Sequence, residues 1–297
     1  LVSCQPSKNN NGKRQNEVEL VAEKQLVFPL DEQTYYLSKS MFQFEENGKE
    51  YLHFENTQKS LYDIVIFDIE NQQIAKRIPL HKTGPNGLPT VYGSRPSPDS
   101  EQILISQNNI GRLSTINNQG EVVRNYPVES PEGRFTAFFF CSYYNTPAFV
   151  KDSCIFLNQD ILKPNMKRED WPQTHMFASL NLKTGKFKWV PIFYPPIFKE
   201  EYDNIAGGYG FSYDYNYKEN RLVCGFFGYD SLMVTDDLKH IRWYNAKSRY
   251  LKSMKPKLGN SMEGINAIIK LRETPKYWHI TVSYTHLRAH ETLRHLV

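Results

Sequence analysis

Four segments of this chain repeat one plan: a turn, an apolar strand, a gap, and then a hairpin with a polar tip. The hairpins are Asp63–Ile78, Leu113–Val123, Phe177–Trp189 and Leu232–Trp243. Each carries Asn, Asp or Gly at its tip, residues that tolerate the left-handed backbone of a tight turn. Alternating apolar and polar residues flank every tip, as a half-buried strand requires. An apolar strand precedes each hairpin: Glu50–Phe54, Gln102–Ser106, Ser153–Leu157 and Arg221–Cys224. The repeat spacing is roughly 50 to 65 residues, and four-stranded units at that period predict an all-β chain folded as a β-propeller. A β-sandwich with similar hairpins is the competing architecture. The 19 Tyr and 18 Phe favour the same β-rich class.

Composition narrows the function classes. At 297 residues the chain can bury a sizeable core. A net charge of +4, with its basic residues spread out, leaves no nucleic-acid footprint. No stretch approaches 18 apolar residues, so the sequence predicts no membrane-spanning helix. There is no P-loop, no G-x-S-x-G elbow, no calcium-loop pattern and no Cys/His spacing for zinc. No cofactor or metal is therefore expected. Cys141 and Cys154 flank a predicted turn and could pair, whereas Cys224 reads as a small buried hydrophobe.

The two ends carry separate expectations. Leu1-Val2-Ser3-Cys4 reads as a lipobox cut just ahead of its cysteine, which makes Cys4 the acylated anchor. Residues 1–16 then form the lipobox remnant and a polar tether with too little apolar surface to fold. Residues 17–281 form a single propeller domain of about four complete blades plus part of another. The strand around Glu19–Leu30 would close the ring. The tail 282–297 resembles translated adapter read-through and is set apart as non-native. His286 and His290 lie within it at a spacing that would mimic a metal pair on a helix. A ring left incomplete would expose strand edges and tend to self-associate.

A family resemblance enters at Ser97-Pro98-Asp99-Ser100-Glu101-Gln102-Ile103-Leu104-Ile105-Ser106, which is similar to the S-P-D-G turn-and-strand signature of TolB-like propellers, with Ser100 in place of the Gly. The lipobox, the segment Lys24–Leu30 and the stretch from Gly210–Asp214 through Ala246–Tyr250 are part of the same likeness. Over about residues 1 to 281 the chain resembles an uncharacterised propeller-like lipoprotein family of gut anaerobes, a domain of unknown function. The resemblance implies six to seven blades in the full protein and an envelope location, but no reaction and no catalytic residues.

Propellers bind through loops on one face, here Leu80–Pro96, Pro127–Phe135, Val190–Gly210 and Tyr244–Met262, with the insertion Asn158–Gln173 beside them. The candidate ligand contacts from these segments are Arg95, Arg134, Trp171, Tyr209, Phe211, Lys247 and Arg249. The rings of Val190–Phe211 suit stacking on a sugar or gripping a peptide, and they equally suit packing between blades. Lys239–Lys257 is a basic run that could meet an anionic glycan or headgroup. His53, His81, His175, His240 and His279 are scattered. The expectation is a lipid-anchored, non-catalytic binding protein of the bacterial outer membrane, facing the periplasm, with a glycan, peptide or protein ligand. The alternative is a propeller lyase or hydrolase with His, Asp and Glu converging at the channel.

Overall fold

The computed structural model of the chain describes residues 2–6, 18–22, 25–34, 37–57, 62–91, 93–97, 102–107, 112–128, 148–158, 172–196, 211–226, 229–246, 279–282 and 287–290. Among these there is no α-helix. Strands β1 (Val2–Pro6) and β2 (Val18–Ala22) pair with each other, with Cys4 opposite Leu20. Four antiparallel sheets of four strands follow, each in simple up-and-down order. The first blade is β3 (Leu37–Glu46), β4 (Lys49–Thr57), β5 (Tyr62–Asp68) and β6 (Gln73–Pro79). The second is β7 (Gly93–Pro96), β8 (Ile103–Gln107), β9 (Arg112–Ile116) and β10 (Val122–Pro127). The third is β11 (Phe149–Lys151), β12 (Cys154–Asn158), β13 (Phe177–Asn181) and β14 (Phe187–Trp189). The fourth is β15 (Phe211–Asn216), β16 (Arg221–Phe226), β17 (Ser231–Thr235) and β18 (Arg242–Asn245). A last hairpin, β19 (His279–Val282) with β20 (Leu287–His290), runs beside β15 and β16. Leu287–His290 is thus strand and not helix, and His286 lies outside the described residues.

The core is a series of seams between consecutive blades. Ile64, Ile66 and Ile78 of the first blade meet Ile103, Ile105 and Ile116 of the second. Leu104, Leu113 and Tyr126 of the second meet Val150, Ile155 and Leu180 of the third. The third and fourth share an aromatic seam, with Phe149 stacked on Phe156 at 4.7 Å and on Tyr215 at 4.4 Å, and Phe177 edge-on to Tyr213 at 5.0 Å. Opposed apolar faces buried in chain order are the stabilising arrangement of a propeller.

Turn chemistry fixes the blades locally. In each final hairpin an acceptor side chain caps the tip: Asp68 Oδ1 takes Asn71 N–H, Asn117 Oδ1 takes Gln119 N–H, Asn181 Oδ1 takes Lys183 N–H, and Asp237 Oδ1 takes Lys239 N–H. A left-handed residue completes each turn: Gln72, Gly120, Gly185 and Leu238. The Asn71 N–H holds the Asp68 carboxyl below its ordinary range, and the His240 N–H does the same for Asp237.

Residues 2–6, expected in a tether that does not fold, are strand β1 paired with β2, and the sequence reading differs from the structure in two further places. The strand it set before each hairpin is the second of four; β3, β7, β11 and β15 stand ahead of them. Strand β7 falls within the expected loop Leu80–Pro96. Its Gly-Ser-Arg-Pro sequence has no apolar alternation and is ordered by its ladder with β8, where Gly93 opposes Ser106 and Pro96 opposes Ile103. Second, residues 25–30 form no strand. They cross the face of the first blade, with the Phe28 ring edge-on to Phe67 at 5.3 Å and Val27 N–H donating to Gln72 Oε1.

That crossing segment is pinned by Arg77. Its guanidinium bonds Asp63 Oδ2 at 2.5 Å and Asp31 Oδ1 at 2.5 Å, and it donates to Thr34 Oγ1. Asn56 Nδ2 adds bonds to Asp63 Oδ1 at 2.6 Å and to the Gln33 carbonyl. The hydrogen bond from Arg77, then that from Thr34, holds the Asp31 carboxyl below its ordinary range. Asp63 is buried, so Arg77→Met is expected to destabilise the fold by about 3 kcal/mol by leaving that charge unpaired. Denaturant melts check the size. In a double-mutant cycle, Asp63→Asn should recover part of the loss, and simple additivity would show that the two do not act as a pair.

Candidate functional site

The blades meet at one side chain. Arg95, on β7 of the second blade, is buried. Its Nη1 donates to the Ala148 carbonyl at the start of the third blade, and its Nη2 donates at 3.2 Å to the Tyr217 hydroxyl just after β15 of the fourth. Nε donates to its neighbour's carbonyl at Pro96, and the guanidinium lies 4.9 Å from the centre of the Phe42 ring on β3 of the first. A rigid planar fork with donors on three sides suits such a junction, whereas a lysine would offer a single point charge.

Tyr217 is the exposed end of this junction. Its hydroxyl oxygen accepts from Arg95 Nη2 and from Val150 N–H, both at 3.2 Å, so its two lone pairs are filled. Among the described residues its own proton has no acceptor. The ring packs edge-on to Tyr215 at 5.1 Å, and the residue is 40 % exposed.

On the other side of β7, Ser94 faces the first blade. His53 Nε2 lies 2.7 Å from Ser94 Oγ, and Ser94 Oγ lies 2.7 Å from Glu55 Oε1. His53 and Glu55 share a face of β4 because side chains alternate along a strand. Burial lowers the His53 imidazole to about 3, with the Arg95 charge second. Burial also raises the Glu55 carboxyl to about 7, against the stabilising bonds from the Ser94 hydroxyl and backbone N–H. Tyr62 is pushed up by burial and then by the Glu55 charge. The constellation holds Ser, His and Glu but not in nucleophile order. Serine sits in the middle, and His53 Nδ1, where an orienting carboxylate would bind in a triad, is buried without a partner. Exposures of 1, 2 and 5 % for His53, Ser94 and Glu55 keep substrate away from it.

Of the residues singled out from sequence, Arg95 is this junction, with three of its N–H groups donating to protein oxygens. Phe211 is 5 % exposed and packs against Phe177, Tyr194 and Phe226 in the aromatic seam. Arg134, Trp171, Tyr209, Lys247 and Arg249 lie outside the described residues. Cys154 is a half-buried free thiol that accepts from Asn181 Nδ2 at 3.6 Å, and Cys141 lies outside the described residues. His81 and His240 are exposed, the latter on Asp237. His175 stacks on Trp189 and donates from Nδ1 to the Val190 carbonyl. No group of three or more His, Cys, Asp or Glu that could hold a metal occurs among the described residues, and no helix among them is long and apolar enough to cross a membrane. Glu55, Ser94 and Tyr217 were missed as site residues. The only signal was the His53-x-Glu55 alternation, and nothing local pointed to Ser94.

Four up-and-down sheets in series, sharing their faces and joined at one guanidinium, define a β-propeller. Residues 17–282 match the family described as Domain of unknown function (DUF4221), and the chain belongs to that family. It is similar to the crystal structure of a DUF4221 member from Bacteroides vulgatus, with 84% identity over 91% of this chain and 75% of that one, at a TM-score of 0.84. A protein from Bacteroides fragilis shares the fold at 9% identity and a TM-score of 0.50, over 87% of this chain and 65% of that one. Virginiamycin B lyase from Staphylococcus aureus aligns at 11% identity over 70% of this chain and 56% of that one, at a TM-score of 0.38. No curated protein matches.

Proposed function

We propose that this propeller is the binding domain of a lipoprotein anchored through Cys4 to the outer membrane and facing the periplasm. It has six to seven blades in the full TolB-like protein, and it takes a glycan, peptide or protein ligand at the axial face. The observation that carries the binding reading is the Arg95–Tyr217 pair. The guanidinium fills one of the phenol's lone pairs and polarises its O–H, on a residue 40 % exposed whose proton has no acceptor among the described residues. That is the chemistry of a contact for a ligand oxygen. The solvent-excluded His53–Ser94–Glu55 chain supports a binding module over an enzyme.

The test is a glycan and peptide array probed with the complete protein and its Tyr217→Phe variant. A ligand whose affinity falls about tenfold in the variant, with unchanged far-UV circular dichroism, supports the site. Turnover of a polysaccharide without retained binding would overturn it. Metabolic labelling with an alkyne fatty acid should mark the protein in its host and spare Cys4→Ser, and equal labelling of both ends the anchor reading.

A further inference from the structure

We propose that His53, Ser94 and Glu55 form a proton-relay switch whose two hydrogen bonds reverse direction when the protein takes up one proton. The chain has two links, His53 Nε2 to Ser94 Oγ and Ser94 Oγ to Glu55 Oε1, each 2.7 Å long, and the serine hydroxyl supplies one proton. The second comes from one end or the other. With Glu55 ionised, His53 Nε2–H donates to Ser94, which donates to the carboxylate, and Nδ1 is a bare lone pair. With Glu55 neutral, its O–H donates to Ser94, which donates to His53 Nε2, and the imidazole proton stands on Nδ1. Uptake at the unpartnered Nδ1 forms an Nδ1–H bond. The Nε2–H proton then passes to Ser94 Oγ as the serine proton passes to Glu55 Oε1, so one proton enters and the imidazole stays neutral.

The surroundings hold the switch to these two states. In register beside it are Phe42 opposite His53 on β3, Ile66 and Ile64 opposite His53 and Glu55 on β5, and Ile105 opposite Ser94 on β8. The charged or titratable groups acting on the chain are the Arg95 guanidinium on β7 and the Tyr62 phenol on β5, whose O–H donates to the Val91 carbonyl. Arg95 and burial together oppose a doubly protonated imidazole, and burial of Glu55 favours the neutral acid near neutral pH. Each uptake removes the negative charge at Glu55, at the far end of the chain from the imidazole on which the Arg95 charge acts. The proposal does not depend on any ligand at the axial face.

The signs in stability follow. Glu55 binds its proton in the fold up to about pH 7 but releases it near 4.5 when unfolded, so stability is lost as pH rises through that window. His53, lowered from 6.5 to about 3, acts oppositely, and its contribution is lost as pH falls through 6.5 to 3. The melting temperature of wild type relative to Glu55→Gln should therefore decline as pH rises from 4.5 to about 7.

The deciding measurement is nitrogen-15 NMR of the His53 ring in the intact chain between about pH 5 and about pH 9. The proton should stand on Nε2 at the high end and on Nδ1 at the low end, at the same midpoint as the infrared band of the Glu55 carboxylic acid. One nitrogen protonated throughout, a doubly protonated ring, or two separate midpoints would overturn the switch. Glu55→Gln should show a single tautomer across the range. If that variant fails to fold, the wild-type spectra decide alone.

Discussion

Replacing Arg95 with methionine is expected to destabilise the propeller by about 3–5 kcal/mol, because it removes several hydrogen bonds from a charged donor, each contributing about 1.5–3 kcal/mol. Methionine preserves much of the aliphatic bulk. It leaves the Ala148 carbonyl, at a residue 1 % exposed, without its donor, and strips the cation from the Phe42 face. The loss falls on contacts to three other blades at once, so cooperativity should suffer together with the midpoint. Arg95→Lys tests the geometry: it keeps the charge, but it cannot serve Pro96 O, Ala148 O and Tyr217 together, and should lie between the two. Denaturant titrations of the three proteins give the answer. A methionine variant within about 1 kcal/mol of wild type would show that the junction does not join the blades.

Gly120→Ala should be nearly as damaging, by about 3 kcal/mol or more, for a different reason. Gly120 has φ +79°, which disfavours any side chain, and a Cβ there would overlap the Pro79 carbonyl oxygen of the neighbouring blade. Both obstacles are backbone, so neither relaxes by turning a rotamer. Two internal controls separate them. Gly48 and Gly185 have φ of +75° and +73° with nothing within 4 Å of an added Cβ, so alanine there should cost only the conformational part, about 1 kcal/mol. Thermal melts of the three variants measure the difference, and equal losses at all three sites would remove the inter-blade contact from the argument.

The parts of this fold that were legible in sequence are those decided locally. The predicted hairpins Asp63–Ile78 and Leu232–Trp243 agree with β5–β6 and β17–β18 to within a few residues, because alternation and an Asx-type tip are written in consecutive positions. Strand β11, only Phe149–Lys151, and strand β7, Gly93–Pro96, escaped because their order comes from the ladder beside them. The site was less legible still. Arg95 was picked out as a basic loop residue, but its meaning lies in Ala148 and Tyr217, 53 and 122 positions away. His53 was noted as one scattered histidine. Only the stacking of β4 against β7 brings Ser94 between it and Glu55.

The seams follow the order of synthesis, and this bears on how the molecule can be made. Each apolar face is covered by the blade translated next, so the chain can consolidate from its beginning while its end is still emerging. The last Arg95 contact, to the Tyr217 hydroxyl, waits until residue 217 has arrived, and so acts as a late clasp on work already done. A nascent chain halted before that tyrosine should hold its first two blades and yet remain loose at the centre.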